Sequence, residues 1–199
     1  MTRRDDLILD FVRRHGVTRA RELTAEGFHS QEVTRLVAAQ KLERFGRGLY
    51  AVPQHDLTPW HDLAEISKAM PLAVVNLISA LAYHQIGTQL PYQTWVALPA
   101  GAWKPKTNPR LRLTHLTEPY YSEGVEEHEV EGVRVKIYNA AKTVADCFRM
   151  RSKVGYDVAV EALREGWRER KFTAEELMHY AKIDRVDKVM RPYIEALIS

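Results

Sequence analysis

The run from Asp5 to Val52 constrains the fold more than any other part of the chain. Asp5 to His15 carries apolar residues at Leu7, Ile8, Phe11 and Val12, the i, i+1, i+4, i+5 spacing of one helical face, and Gly16 is a natural stop. Thr18 stands as the N-cap of a second helix through Ala25, which would bury Ala20 and Leu23 and end at Gly27. Ser30 stands as the cap of a third helix with Val33, Leu36 and Val37 facing inward. Only a few residues around Gly27 separate the second and third helices, the spacing of a helix-turn-helix. Lys41 to Phe45 and Leu49 to Val52 then read as two short strands, and the two glycines of Gly46-Arg47-Gly48 permit the tight hairpin between them. Three helices followed by a two-stranded ribbon predict a winged helix-turn-helix with Arg47 at the wing tip. A dinucleotide fingerprint is excluded there, because neither a third glycine nor a helix follows.

The charge pattern singles out the same segment. The formal net charge is +3. Residues 1–53 hold ten Lys/Arg and seven Asp/Glu, so the remaining 146 residues balance at 19 of each and the whole excess lies in the first quarter. A local basic bias points to nucleic acid as a partner. If the third helix packs through Val33, Leu36 and Val37, its outer face presents Gln31, Thr34, Arg35 and Ala38. Gln can read adenine and Arg guanine with paired hydrogen bonds, and Arg44 and Arg47 on the wing would meet phosphates or the minor groove. With Thr18, Arg19 and Ser30 at the helix starts, the expected DNA-contacting set is Thr18, Arg19, Ser30, Gln31, Thr34, Arg35, Arg44 and Arg47. Solvated helix residues, or a winged domain used for protein contact, are the alternatives.

Pro53 to Pro59 is a Pro-rich polar connector, which divides the chain into a winged domain at 1–54 and a larger domain at 60–199. In the larger part Trp60 to Met70 reads as a helix burying Leu63, Ala64 and Ile66, and Val74 to Gln85 as an apolar central helix. Thr94 to Leu98 is a strand, and Leu111, Leu113 and His115 alternate as the inward face of another. Glu126 to Val130 and Val133 to Tyr138 flank the hairpin signal Glu131-Gly132. From Asn139, a helix cap, the chain reads as helical to its end. Asp157 to Arg170 would bury Val160, Leu163 and Trp167, Thr173 to Glu176 has capping-box form, and Pro192 should kink or split the last helix. Strands in mid-chain followed by helices give an α+β class: a winged helix-turn-helix, then a larger mixed sheet-and-helix domain with a helical C-terminus.

Familiar chemistry is mostly missing. The sequence has no P-loop, HExxH, nucleophile elbow or kinase-type glycine loop. The eight histidines are scattered, so no metal site is expected, and the single Cys147 excludes an internal disulfide and reads as a small buried hydrophobe. The longest apolar stretch, Pro71 to Ala82, is too short to span a bilayer, and Arg3-Arg4-Asp5-Asp6 leaves no signal-peptide core, so a cytoplasmic protein without membrane partners is expected. Lys142 and Asp146 stand i, i+4 on one helix with Thr143 beside them, a catalytic pair or a structural ion pair. Trp103 to Arg112 carries four bases and no acid, and Glu118 to Glu131 carries six acids and no base. These blocks would either pair with each other or offer docking surfaces to a charged protein.

Three stretches together resemble the AbiEi-type antitoxins of bacterial type IV toxin–antitoxin systems: residues 16–53, NLISALAYHQIG at 76–87 with TWVALP at 94–99, and VEGVRVKIYNAAKTVADCFR at 130–149. In the last, Thr143, Ala145 and Asp146 occupy the family's characteristic positions, while Lys142 stands where an Arg is common. The resemblance implies an autorepressor whose winged domain binds inverted repeats in double-stranded operator DNA, and whose larger domain neutralises a cognate nucleotidyltransferase-like toxin. Many such modules serve phage abortive infection, and some relatives are thought to promote phosphorylation of the toxin. Ser79, His84, Lys142, Thr143 and Asp146 are the candidates for the toxin-directed role, with no cofactor and no catalytic residue assigned. The alternative readings are an antitoxin enzyme that promotes phosphorylation of the toxin and a stand-alone winged-helix regulator.

Overall fold

A computed structural model describes residues 3–46, 48–53, 58–102 and 110–198. Two compact units organise the chain: Met1–Pro71 with His128–Val135, and Leu72–Glu127 with Lys136–Ser199.

The first unit opens with α1 (Arg3–His15), which has Asp5 and Asp6 in its first turn and Arg13, Arg14 and His15 in its last, the arrangement the helix dipole favours. It continues through β1 (Thr18–Arg19), α2 (Ala20–Ala25), α3 (Ser30–Ala38), β2 (Glu43–Gly46), β3 (Leu49–Ala51) and α4 (His61–Ala69). The antiparallel strands run in the order β1-β3-β2, with Thr18 opposite Tyr50 and Glu43 opposite Ala51. Three helices against this sheet bury Ile8, Leu9, Val12, Leu23, Val33, Leu36 and Leu42. This is the expected winged helix-turn-helix.

Three details correct the sequence reading. The buried stripe of α1 is Asp5, Ile8, Leu9 and Val12, with Phe11 half-buried and Leu7 55% exposed; the helix is rotated so that Asp5 joins the inward face. Thr18 caps nothing. It is drawn into β1 and its hydroxyl donates to Gly16 O at 3.0 Å, so Arg19 becomes the N-cap of α2 and Ala20 stays exposed. His29, not Ser30, is the N-cap of α3. A glutamate three positions on serves both helices, Glu22 Oε2 accepting Arg19 N at 2.8 Å and Glu32 Oε2 accepting His29 N at 2.8 Å.

The unit is wider than residues 1–54. Lys68 Nζ donates to both Glu22 oxygens at 3.0 Å and ties α4 to α2. The Glu131 side chain is 1% exposed and accepts from Thr58 N at 2.7 Å, Thr58 Oγ1 at 2.9 Å and His61 Nδ1 at 2.7 Å. Burial pushes this carboxyl up, and the bonds from His61 and Thr58 more than offset it, holding it below the usual carboxylate range.

The second unit holds β4 (Val74–Val75), α5 (Leu77–Tyr83), β5 (Thr94–Pro99), β6 (Leu111–Leu116), β7 (Val125–Val130) and β8 (Val133–Tyr138), the β7–β8 hairpin lending its end to the first unit. Five helices follow: α6 (Ala140–Arg149), α7 (Arg151–Val154), α8 (Tyr156–Arg168), α9 (Ala174–Ile183) and α10 (Asp187–Ile198). The sheet order is β6-β5-β4-β8-β7, with β4 antiparallel to β5, and both β4–β8 and β5–β6 parallel. The core of the unit joins α5, α6, α8, α9 and α10 through residues such as Leu81, Val144, Phe148, Leu163, Leu177 and Met190.

Here too the structure revises particular elements. Val74 to Gln85 is not one helix. The β-branched Val74 and Val75 enter the sheet opposite Ala97 and Val96, and α5 begins only after Asn76. In β6 the buried positions are Thr114 and Leu116, while His115 is exposed. In α8 the fully buried face is Val158, Ala159, Ala162, Leu163 and Gly166, with Val160 and Trp167 half-buried. Pro192 lies inside α10, which continues past it with Met190 and Ile194 buried on either side. Val133, Val135 and Ile137 face inward as expected, and Asn139 caps α6 by accepting Lys142 N at 2.8 Å.

Candidate functional site

The outer face of α3 is the first candidate. Val33 and Leu36 are buried, Val37 is half-buried, and Ser30, Gln31, Thr34, Arg35 and Ala38 are exposed, as the helical period requires. Thr34 Oγ1 donates back to Ser30 O at 2.9 Å. Arg35 is paired: its Nη2 donates to Asp5 Oδ1 of α1, with the Arg35 side chain 56% exposed and Asp5 10% exposed. Arg4 reaches the same region, its Nε 2.6 Å from Glu32 Oε1 and its Nη2 donating to Gly27 O at 2.7 Å.

The other expected DNA contacts divide. Thr18 is fully buried in β1 and is withdrawn from the set. Arg19 is half-buried, its Nη2 enclosed without a hydrogen-bond partner, and burial and Arg21 lower its affinity for its proton. Arg44 is exposed on β2, and Arg47 lies outside the described residues.

The second candidate is the group singled out on 76–149. Every residue from Ala140 to Phe148 is buried, so α6 is a central helix and its polar residues are internal. Lys142 is 0% exposed, with Nζ 2.5 Å from Asp146 Oδ1, 3.1 Å from Asp184 Oδ1 and 5.0 Å from the centre of the Tyr138 ring. The i, i+4 pair is therefore part of a buried triad, completed by Asp184 at the end of α9. No spacing rule links residue 184 to residue 142, so sequence reasoning had no signal for it. Burial, and then Asp146, push the Asp184 carboxyl up to about 7. Asp146 Oδ2 is buried without a hydrogen-bond partner.

The remaining polar groups are engaged nearby. Thr143 Oγ1 donates to Tyr138 O at 3.1 Å and His84 Nε2 to the same carbonyl at 2.7 Å, while buried Ser79 Oγ accepts Trp95 N at 2.9 Å. Thus Thr143 and His84 converge on one carbonyl, Asp146 and Asp184 on Lys142, and Ser79 on β5. A cleft of about 360 Å³ opens beside them, lined among others by Tyr83, His84, Asn139, Lys171, Glu176 and Tyr180. Cys147 is buried, and burial pushes its thiol up, away from the reactive thiolate. Lys104 and Lys106 of the basic block lie outside the described residues, and Arg112 stacks over Trp95 at 4.2 Å. Among the described residues no group of three or more His, Cys, Asp or Glu could hold a metal, and no helix is long and apolar enough to cross a membrane.

Residues 6–53 match the family model of the transcriptional regulators described as AbiEi antitoxin. No curated protein matches the chain by sequence. In fold the chain is similar to the crystal structure of the RV2827C protein from Mycobacterium tuberculosis, at a TM-score of 0.59 and 10% identity, covering 88% of this chain and 70% of that one.

Proposed function

We propose, from an N-terminal unit that carries the AbiEi antitoxin regulator segment, that this protein represses its own operon by binding operator DNA and neutralises a nucleotidyltransferase-like toxin through its second unit. The observation that carries the first half is the exposed face of α3, where Gln31, Thr34 and Arg35 stand on a winged helix held by its own core. Gln and Arg are the side chains suited to paired hydrogen bonds with base edges in the major groove, and a helix is the element that fits there.

For the second half, the buried and hydrogen-bonded state of Ser79, Lys142, Thr143 and Asp146 favours neutralisation by contact over phosphoryl transfer at these side chains. Phage defence is the role this pairing would serve.

The test uses the full chain and a duplex from directly upstream of its gene. Inverted repeats should bind more tightly than a scrambled duplex, with affinity falling steeply as salt rises, through counterion release. Equal binding to both duplexes overturns the operator reading. Co-expression with a nucleotidyltransferase-like gene from the same operon tests the other half, and failure to restore growth overturns it.

A further inference from the structure

We propose that Asp5 is a positioning residue for base recognition: it fixes the Arg35 guanidinium on the outer face of α3 and thereby sets the preference of this unit for its operator. The inference rests on the reading of α3 as the DNA-contacting helix. Asp5 occupies the inward stripe of α1, a place the helical period otherwise gives to Ile8, Leu9 and Val12. A carboxylate there carries a desolvation cost that an apolar residue would not. Its Oδ1 accepts Arg35 Nη2 across thirty residues of sequence.

The pair leaves Arg35 available. Its side chain is 56% exposed, and a guanidinium has five N–H donors, so one bond to Asp5 leaves donors for the two acceptors of a guanine edge. The backbone beneath it is anchored too. Arg4 bonds Gly27 O in the turn and Glu32 in the first turn of α3, and Glu32 in return caps His29 N. The first turn of α1 thus holds the turn, the start of α3 and then one outward side chain. A long side chain fixed before binding loses less rotamer freedom on contact. A carboxylate next to the DNA-facing surface also repels every phosphate alike, which lowers affinity for DNA of any sequence. What separates positioning from a merely structural role is the upstream-to-scrambled ratio, and its failure to fall further once Arg35 is removed.

The test measures binding of the full chain to the upstream duplex and to a scrambled duplex of equal length, at two salt concentrations. Asp5→Asn should reduce the upstream-to-scrambled ratio about tenfold, the scale of one lost base contact, with scrambled DNA bound as well as before or better. Arg35→Ala should reduce the ratio similarly, and Asp5→Asn should add nothing in that background. A parental ratio in Asp5→Asn, with the ratio lost in Arg35→Ala, overturns the positioning role and leaves the DNA reading standing. A parent that does not discriminate, or Arg35→Ala and Gln31→Ala that both bind like the parent, overturns the two together. If Asp5→Asn does not fold, Arg35→Lys decides. It keeps the charge beside Asp5 without the fork, so it should retain scrambled binding and lose the preference, and a retained preference overturns the proposal.

Discussion

Lys142 Nζ lies 2.5 Å from Asp146 Oδ1 with both side chains shut away from solvent, and Asp184 closes the group from the end of α9. On a helix surface the same i, i+4 pair would contribute a few tenths of a kcal/mol. Inside the core, removing one partner leaves charge without compensation, and the magnitude changes by an order.

Lys142→Met should therefore destabilise the protein by about 3–5 kcal/mol, because Asp146 and Asp184 would face each other without a cation. The triple replacement Lys142→Met, Asp146→Leu, Asp184→Asn should cost much less. Urea unfolding of the full chain checks both, and a loss under about 1 kcal/mol for the single change would mean the triad is not buried as described.

The Asp184 carboxyl supplies a pH dependence of definite sign. Its value in the folded chain is raised to about 7, so the folded form holds a proton that the unfolded form gives up at lower pH. Its contribution is complete below the ordinary aspartate range and is lost as pH rises through about 7. Glu131 and Glu22, held low, act with the opposite sign, so the quantity to follow is the difference between parent and Asp184→Asn. Relative to that variant the parent should lose stability between about pH 4 and pH 7. A flat difference across that window would refute the assignment.

Two glycines with positive φ separate strain from collision. A Cβ on Gly27 (φ +80°) meets nothing within 4 Å, so Gly27→Ala should cost only the left-handed penalty, about 1–2 kcal/mol. A Cβ on Gly16 (φ +59°) would sit 1.7 Å from Glu131 O, a backbone atom with little room to yield. Gly16→Ala should lose more than about 3 kcal/mol. Thermal melts of the two variants rank them, and equal costs would contradict the described packing of residues 128–135.

Thr18 and Gln31 make a complementary pair. Thr18→Val removes a buried hydroxyl bonded to Gly16 O and should cost about 1 kcal/mol while leaving DNA binding unchanged. Gln31→Ala, on the exposed face, should change stability by less than about 0.5 kcal/mol and weaken binding to the upstream duplex. Reversed outcomes would show that α3 presents another face to DNA.

Local pattern carried a good deal. The three N-terminal helices, the ribbon strands on either side of residue 47, the strand Val133–Tyr138 and the caps at Asn139 and Thr173 each depend on residues within a few positions of one another. All are present, although the second and third helices are capped by Arg19 and His29 and Arg47 itself lies outside the described residues. The outward face of α3 followed from period alone.

Contacts made across long separations were another matter. The sequence by itself determined the winged helix, the α+β class and the i, i+4 spacing of Lys142 and Asp146, because periodicity and turn chemistry act within one element. Only the tertiary structure decided that Thr18 and Val74 belong to strands, since a two-residue strand exists by virtue of partners at Tyr50 and Ala97. It alone placed Asp184 on Lys142 and Asp5 on Arg35, and so turned an i, i+4 pair into a buried triad and an exposed arginine into an anchored one. Burial is a property of what packs around a helix, and the charge on a side chain does not reveal it when the partner lies thirty or forty residues away.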